Sequence, residues 1–167
     1  MIRASKPCIA AINGVAIGVG LTLTLAFDVI IGSTNAKLGM GFIRMGLSPE
    51  LASSRLIAAR VGFGHASEMC LSGRLYSGQE AKEIGFFEHL TSPEELMPKA
   101  RSIAASFVAN ADAQLRMAKG LLTKFALGDD LEQVLALEAQ VLEACKKSPE
   151  HKEAVAAFLE KRPAKFR

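Results

Sequence analysis

An uncharged apolar run fills residues 8–27, CIAAINGVAIGVGLTLTLAF, and must be buried in whatever the chain forms. Its length would suit a membrane-spanning helix, and Gly14 with Gly18 has the GxxxG spacing of packed spans. Against this, Asn13-Gly14 is a strong turn dipeptide, and Gly14, Gly18 and Gly20 would crowd a helix interior. Asp28 then closes the run with no basic flank after it, so a soluble unit is expected rather than a span. CIAAIN reads as a buried strand, GVAIG as a turn, VGLTLTLAF as a helix and DVIIGS as a second strand. Such a unit needs neighbours. Because the chain opens only a few residues before a strand of the fully buried type, earlier strands are expected to be missing ahead of it.

Up to about residue 92 short strands, glycine turns and short helices alternate, and beyond it the pattern is helical, giving an expected division into 1–92 and 93–167. Helix starts are expected at Ser48-Pro49-Glu50, near Gly64, and at Ser77, where Ser77 and Glu80 have capping-box spacing. Ser92-Pro93 opens a helix with Leu96, Ala100, Ile103, Ala104 and Phe107 on one face, although Pro98 weakens its first turns. A second helix is expected from about Ala111 to Ala126. A third, from Asp129, carries a stripe of Leu131, Val134, Leu135, Val141, Leu142 and Cys145. Ser148-Pro149 caps the last helix, which bears Val155, Phe158 and Leu159. These stripes must bury against something, so an oligomer is expected.

Composition excludes several classes of function. Lys and Arg number 20 against 17 Asp and Glu, for a formal charge of +3, too little for the basic field that nucleic-acid binding needs. Cys8, Cys70 and Cys145 are odd in number and widely spaced, fitting neither a disulfide framework nor a zinc site and pointing to a reducing compartment. His65, His89 and His151 are far apart with no second ligand at metal spacing, so no metal is expected. The start MIRASKP leads into no small-residue cleavage site, so secretion is not expected either.

Two motifs could carry chemistry. In Asn13-Gly-Val-Ala-Ile-Gly-Val-Gly20 a glycine turn feeds a helix and would present the N–H groups of Val19 and Gly20 to an anion or a developing oxyanion. It is no phosphate loop, lacking Gly-Lys-Ser/Thr, and Leu23 stands where a dinucleotide fingerprint needs its third glycine. The plainer alternative is that these glycines only let strand and helix pack closely. The second motif is Gly46-Leu-Ser-Pro-Glu50. Ser-Pro-Glu recurs at Ser92 and Ser148, and in all three the order fits the cap and first two positions of a helix. Glu50 alone follows an apolar, glycine-containing run, LGMGFIRMG. Apolar walls would favour it as a proton acceptor, whereas a helix N-terminus would oppose that. Thr22 and Thr24 read as helix residues facing a sheet, Met40, Met45, Met69 and Met117 as core, and the basic tail 160–167 as a solvated end.

Three stretches together, KPCIAAINGVAIGVGLTLTLAFDVIIGSTNAKLGMGFIRMGLSPE, RVGFGHASEMCLSGRLYSGQEAKEIGFFEHL and FLEKRPAKF, resemble the crotonase superfamily of enoyl-CoA hydratases and isomerases. The resemblance implies an α/β fold, the ClpP/crotonase spiral core without its N-terminal part, followed by a C-terminal helical trimerisation region. It further implies an acyl-CoA thioester substrate, no cofactor beyond the CoA of the substrate, and a homotrimer or dimer of trimers. The location would be the cytoplasm of a bacterium, or the peroxisome or mitochondrion of a eukaryote. In the family two backbone N–H groups hold the thioester oxygen. The second maps onto Val19, with Gly18 and Gly20 beside it, and the first belongs to the missing front part. The hydratases' two glutamates fall on Thr22 and Phe42, neither of which transfers protons near neutral pH. The peroxisomal-type 3,2-trans-enoyl-CoA isomerases carry one glutamate further along, and Glu50 matches it. A one-carboxylate isomerase of fatty-acid β-oxidation is therefore implied. A non-catalytic module binding CoA or a partner is the alternative, and a hydratase using some other residue a weaker one.

Overall fold

The computed structural model describes residues 4–45, 47–128 and 131–166. The chain divides into two compact units, one formed by Cys8–Ala104 and the other by residues from Ala105 onward with those just ahead of Cys8.

The first unit is built of short strands shared between two sheets. β1 (Ile9–Ile12), β3 (Val29–Ser33) and β6 (His89–Thr91) form a parallel sheet in the order β1-β3-β6. β2 (Val15–Ile17), β4 (Lys37–Gly39) and β5 (Leu75–Ser77) form the other, with β2 and β4 parallel and β4 and β5 antiparallel. β1 and β3 lie where the apolar runs place them. The expected turn GVAIG instead contains β2, paired Val15 to Lys37 and Ile17 to Gly39. The expected helix after it is one α-turn, α1 (Val19–Thr22), running into a 3₁₀ turn, Leu23–Ala26.

Period-two alternation splits the parallel sheet's side chains between two cores. Ala10, Ile12 and Ile30 join Leu21, Leu25, Leu38, Met40, Ile57, Met69, Tyr76, Phe86 and Phe87 on one side. Ile31, with Ile9, Ala11 and Val29, meets Leu96, Ala100 and Ile103 of α4 (Pro93–Val108) on the other. Both faces of the strands are thus covered, as a parallel sheet requires. The contact boundary falls after Ala104 and not at 92, because the amphipathic face of α4 is spent on the sheet.

α2 (Ser53–Ser72) is interrupted at Gly62, whose φ of 78° and ψ of 160° kink it close to the expected start near Gly64. From its first half Arg60 pairs with Glu88, whose other oxygen accepts the Ile30 N–H at 2.6 Å, while Arg60 Nη2 donates to the Phe27 carbonyl at 3.2 Å. This clamp ties α2 to the middle of β3. α3 (Gly78–Glu83) opens with the expected capping box, Ser77 and Glu80 each accepting from the other's backbone N–H.

Glu80 also accepts from Arg74, which stacks over the Tyr76 ring at 3.6 Å. The Ser77 N–H first, then Arg74 and the Ser77 hydroxyl, hold the Glu80 carboxyl down at about 2. A carboxyl more acidic in the folded than the unfolded chain stabilises fully above its ordinary value near 4.5 and loses that contribution as pH falls toward 2. Glu80→Gln is therefore expected to weaken the fold at neutral pH and to flatten the loss of stability over that window, measured by urea unfolding at each pH. Parallel curves for variant and parent would contradict it.

In the second unit α5 (Asp112–Leu127), α6 (Leu131–Lys146) and α7 (Pro149–Leu159) pack in sequence. Ser148 caps α7 by accepting the His151 N–H, and Gln114 of α5 donates to the same hydroxyl at 2.9 Å. Arg162 grips both oxygens of Glu153. Lys119, only 4% exposed, donates to the Lys6 carbonyl at 2.8 Å. The expected α6 stripe is partly corrected, since Val141 and Cys145 are half-buried but Leu142 faces out; the side chains of Leu131, Val134 and Leu135 lie outside the described residues. On α7, Val155, Phe158 and Leu159 are likewise exposed, and Ala157 supplies its buried contact. No described helix is long and apolar enough to cross a membrane.

Candidate active site

The site begins where β2 ends. Gly18 has φ 56° and ψ −126°, a conformation that a side chain makes costly, and its N–H donates to the Gly39 carbonyl at the end of β4. Its own carbonyl accepts from Leu21 and Thr22 at 2.9 Å. Val19 and Gly20 thus occupy the first helical positions, where an N–H has no carbonyl one turn earlier to bond. The Val19 side chain is 54% exposed and Gly20 is exposed as well. So short a helix adds little macrodipole, and any donor strength here comes from the local N–H groups. Gly18→Ala should cost about 1–3 kcal/mol of stability through strain alone. A shift of the urea midpoint checks this, and an unchanged midpoint would show that the turn tolerates a side chain.

Phe42 lies beside Gly18, its ring edge 3.9 Å from where a Cβ on that glycine would sit, and packs half-buried against the first core. Thr22 is 1% exposed and its hydroxyl donates to the Val19 carbonyl at 3.3 Å, so its polar atom is satisfied within its own turn. Gly18, Val19, Gly20, Thr22 and Phe42 are therefore brought together, with nothing titratable among them.

Glu50 follows the 3₁₀ turn Gly41–Met45; Gly46 lies outside the described residues. The expected helix start at Ser48-Pro49-Glu50 is corrected. Ser92 and Ser148 do cap helices, accepting the N–H groups of Glu95 and His151, but after Glu50 the backbone turns left-handed at Leu51 (φ 52°) and Ala52 (φ 56°). Residues in that conformation cannot continue a right-handed helix, and α2 begins only at Ser53. The Ser53 N–H donates to the Glu50 carbonyl at 2.9 Å, closing the reversal. The expected apolar walls are also corrected: Glu50 is exposed, and so are Ile43, Met45, Leu47 and Leu51 along its segment. Among the described residues its carboxylate makes no hydrogen bond or ion pair, and no three His, Cys, Asp or Glu side chains gather as a metal site.

Nothing in the sequence singles out Ser53. It is 1% exposed, yet among the described residues its hydroxyl has no hydrogen-bond partner. The strain at Leu51 and Ala52 was equally invisible, because neither position carries the glycine or asparagine that usually announces a left-handed turn.

The family model for enoyl-CoA hydratase/isomerase matches residues 1–167. The chain is 39% identical to the Bacillus subtilis protein YngF over 162 residues, covering 97% of this chain and 62% of YngF. It is 31% identical over 161 residues to the crotonyl-CoA hydratase of Syntrophomonas wolfei, covering 96% of this chain and 62% of that one. The crystal structure of an enoyl-CoA hydratase from Bacillus anthracis superposes with a TM-score of 0.94 at 33% identity, covering 99% of this chain and 64% of that one. The chain thus spans somewhat less than two thirds of the length of these relatives.

Proposed function

The chain belongs to the enoyl-CoA hydratase/isomerase family of the crotonase superfamily, with that superfamily's α/β fold, and from this footing we propose that it isomerises 3-enoyl-CoA to 2-trans-enoyl-CoA in fatty-acid β-oxidation with one carboxylate. The substrate is an acyl-CoA thioester, and CoA enters only as part of it. Glu50 removes a proton from C2, and the electron pair moves to the thioester oxygen, where the Val19 N–H stabilises the enolate. Glu50 then returns the proton at C4 as the carbonyl re-forms, leaving the double bond between C2 and C3. Atoms balance without water or a second acid, so one group suffices.

The observation that carries this reading is the contrast in side chains. Beside the Val19 N–H stand Thr22, whose hydroxyl is spent on its own turn, and Phe42, whereas Glu50 offers an exposed carboxylate with no hydrogen bond or ion pair among the described residues. Hydration, the activity in the name of the Syntrophomonas relative, would need a group to orient and deprotonate water, and neither Thr22 nor Phe42 provides it. The exposed apolar residues of α7 support assembly as a homotrimer or dimer of trimers. The test is conversion of 3-hexenoyl-CoA to the conjugated 2-enoyl-CoA by the protein, with Glu50→Gln alongside. Activity lost in the variant supports the reading. Turnover that survives it removes Glu50 from the chemistry, and absence of turnover in both leaves a CoA- or partner-binding module.

A further inference from the structure

We propose that Ser53 is a positioning residue for Glu50, its hydroxyl donating to one carboxylate oxygen when substrate covers the site and so turning the other oxygen toward C2 and C4. This rests on the reading of Glu50 as the acid/base.

Ser53 is buried to 1% exposure, and among the described residues its hydroxyl has no partner. Leaving a buried hydroxyl unbonded costs free energy, and such a group calls for a partner absent from the resting chain. Among the described residues Ser53, Tyr76, Thr91 and Gln114 each have one buried side-chain polar atom without a hydrogen-bond partner, and only Ser53 is joined to Glu50 by a closed turn. That turn is itself held at a cost. Leu51 and Ala52 account for two of the three non-glycine residues with positive φ among those described, and each such residue is strained. The Ser53 N–H to Glu50 carbonyl bond fixes the two residues at opposite ends of a single reversal, with their α-carbons within turn distance.

Glu50 has three free side-chain torsions and is exposed, so in the resting chain its carboxylate samples many directions. A carboxylate that must reach C2 and then C4 of one substrate benefits from a fixed orientation, and a neighbouring hydroxyl donor supplies it through a charge-assisted hydrogen bond. The hydroxyl's missing partner and the carboxylate's missing anchor answer each other.

The test is steady-state kinetics with 3-hexenoyl-CoA on Ser53→Ala, Ser53→Cys and Ser53→Thr, each with its melting temperature, and Glu50→Gln as reference. Ser53→Ala and the similarly sized but weakly donating Ser53→Cys are expected to lower kcat about tenfold with KM within about twofold. Their melting temperatures should be unchanged or raised, since no hydrogen bond of the resting chain is lost. Ser53→Thr, which keeps the hydroxyl, should restore most of kcat. An unchanged kcat in Ser53→Ala and Ser53→Cys while Glu50→Gln is inactive would overturn the proposal and leave Glu50 in place. So would a lowered melting temperature with a raised KM, which marks a structural serine. Turnover retained by Glu50→Gln would instead remove the underlying reading.

Discussion

Glu50→Gln is expected to slow the isomerisation of 3-hexenoyl-CoA about a thousandfold while thioester binding changes by no more than about twofold. Glutamine keeps the shape and can still donate and accept hydrogen bonds, but it cannot take up a proton from C2. The substitution therefore removes the proton transfer and little else. Stability should not change, because the carboxylate is exposed and makes no hydrogen bond or ion pair among the described residues. Single-turnover kinetics with a separate binding isotherm distinguishes this from lost affinity. A variant that binds and turns over like the parent would exclude Glu50 as the acid/base.

Gly32→Ala should be the most damaging single-methyl change in the core, costing about 3 kcal/mol. Gly32 lies within β3, paired to Ile12 of β1 on one side and Leu90 of β6 on the other. A Cβ there would come within 3 Å of three carbons of the Phe87 ring. Phe87 is buried and stands edge-on to Phe86, ring centroids 5.4 Å apart at 80°. Neither partner can give way. The strand is held on both edges, and the ring is held by its neighbour. Urea unfolding measures the loss, and adding Phe87→Leu to Gly32→Ala should recover part of it, because the two changes share one clash. A variant within about 0.5 kcal/mol of the parent would show that the ring is free to move.

How much of this was readable in the sequence follows from how local each signal is. β1 and β3 were legible as apolar runs bounded by turns, and Ser77 and Ser148 as caps, because those patterns are complete within a few residues. The α4 face Leu96, Ala100 and Ile103 was legible from its period, and the sheet buries it. β2, β4, β5 and β6 were not marked. Each has three residues, too few for alternation to show, and each exists through pairing with a strand distant in sequence. The helix start was misplaced at Ser48 because Ser-Pro-Glu carries the same local signal there as at Ser92 and Ser148. What separates it is a left-handed pair, Leu51 and Ala52, that tertiary structure imposes without the usual residues.

The candidate site divides in the same way. The glycine turn at Gly18 could be read from spacing, and the donor role proposed for Val19 from spacing and resemblance; the structure gives Gly18 the backbone conformation that only glycine adopts readily. Glu50 is set apart from Glu94 and Glu150 in the sequence only by the apolar run ahead of it, and its proposed role comes from the resemblance. Ser53 could not be read at all: its burial and its unpartnered hydroxyl are properties of the folded chain.

A one-carboxylate isomerase and a two-carboxylate hydratase are told apart by supplying the protein with 3-hexenoyl-CoA and, separately, 2-trans-hexenoyl-CoA at equal concentration. The first is expected to become the conjugated 2-enoyl-CoA and the second to gain no water. Formation of the 3-hydroxyacyl-CoA from 2-trans-hexenoyl-CoA at a rate matching or exceeding the isomerisation would contradict the isomerase reading.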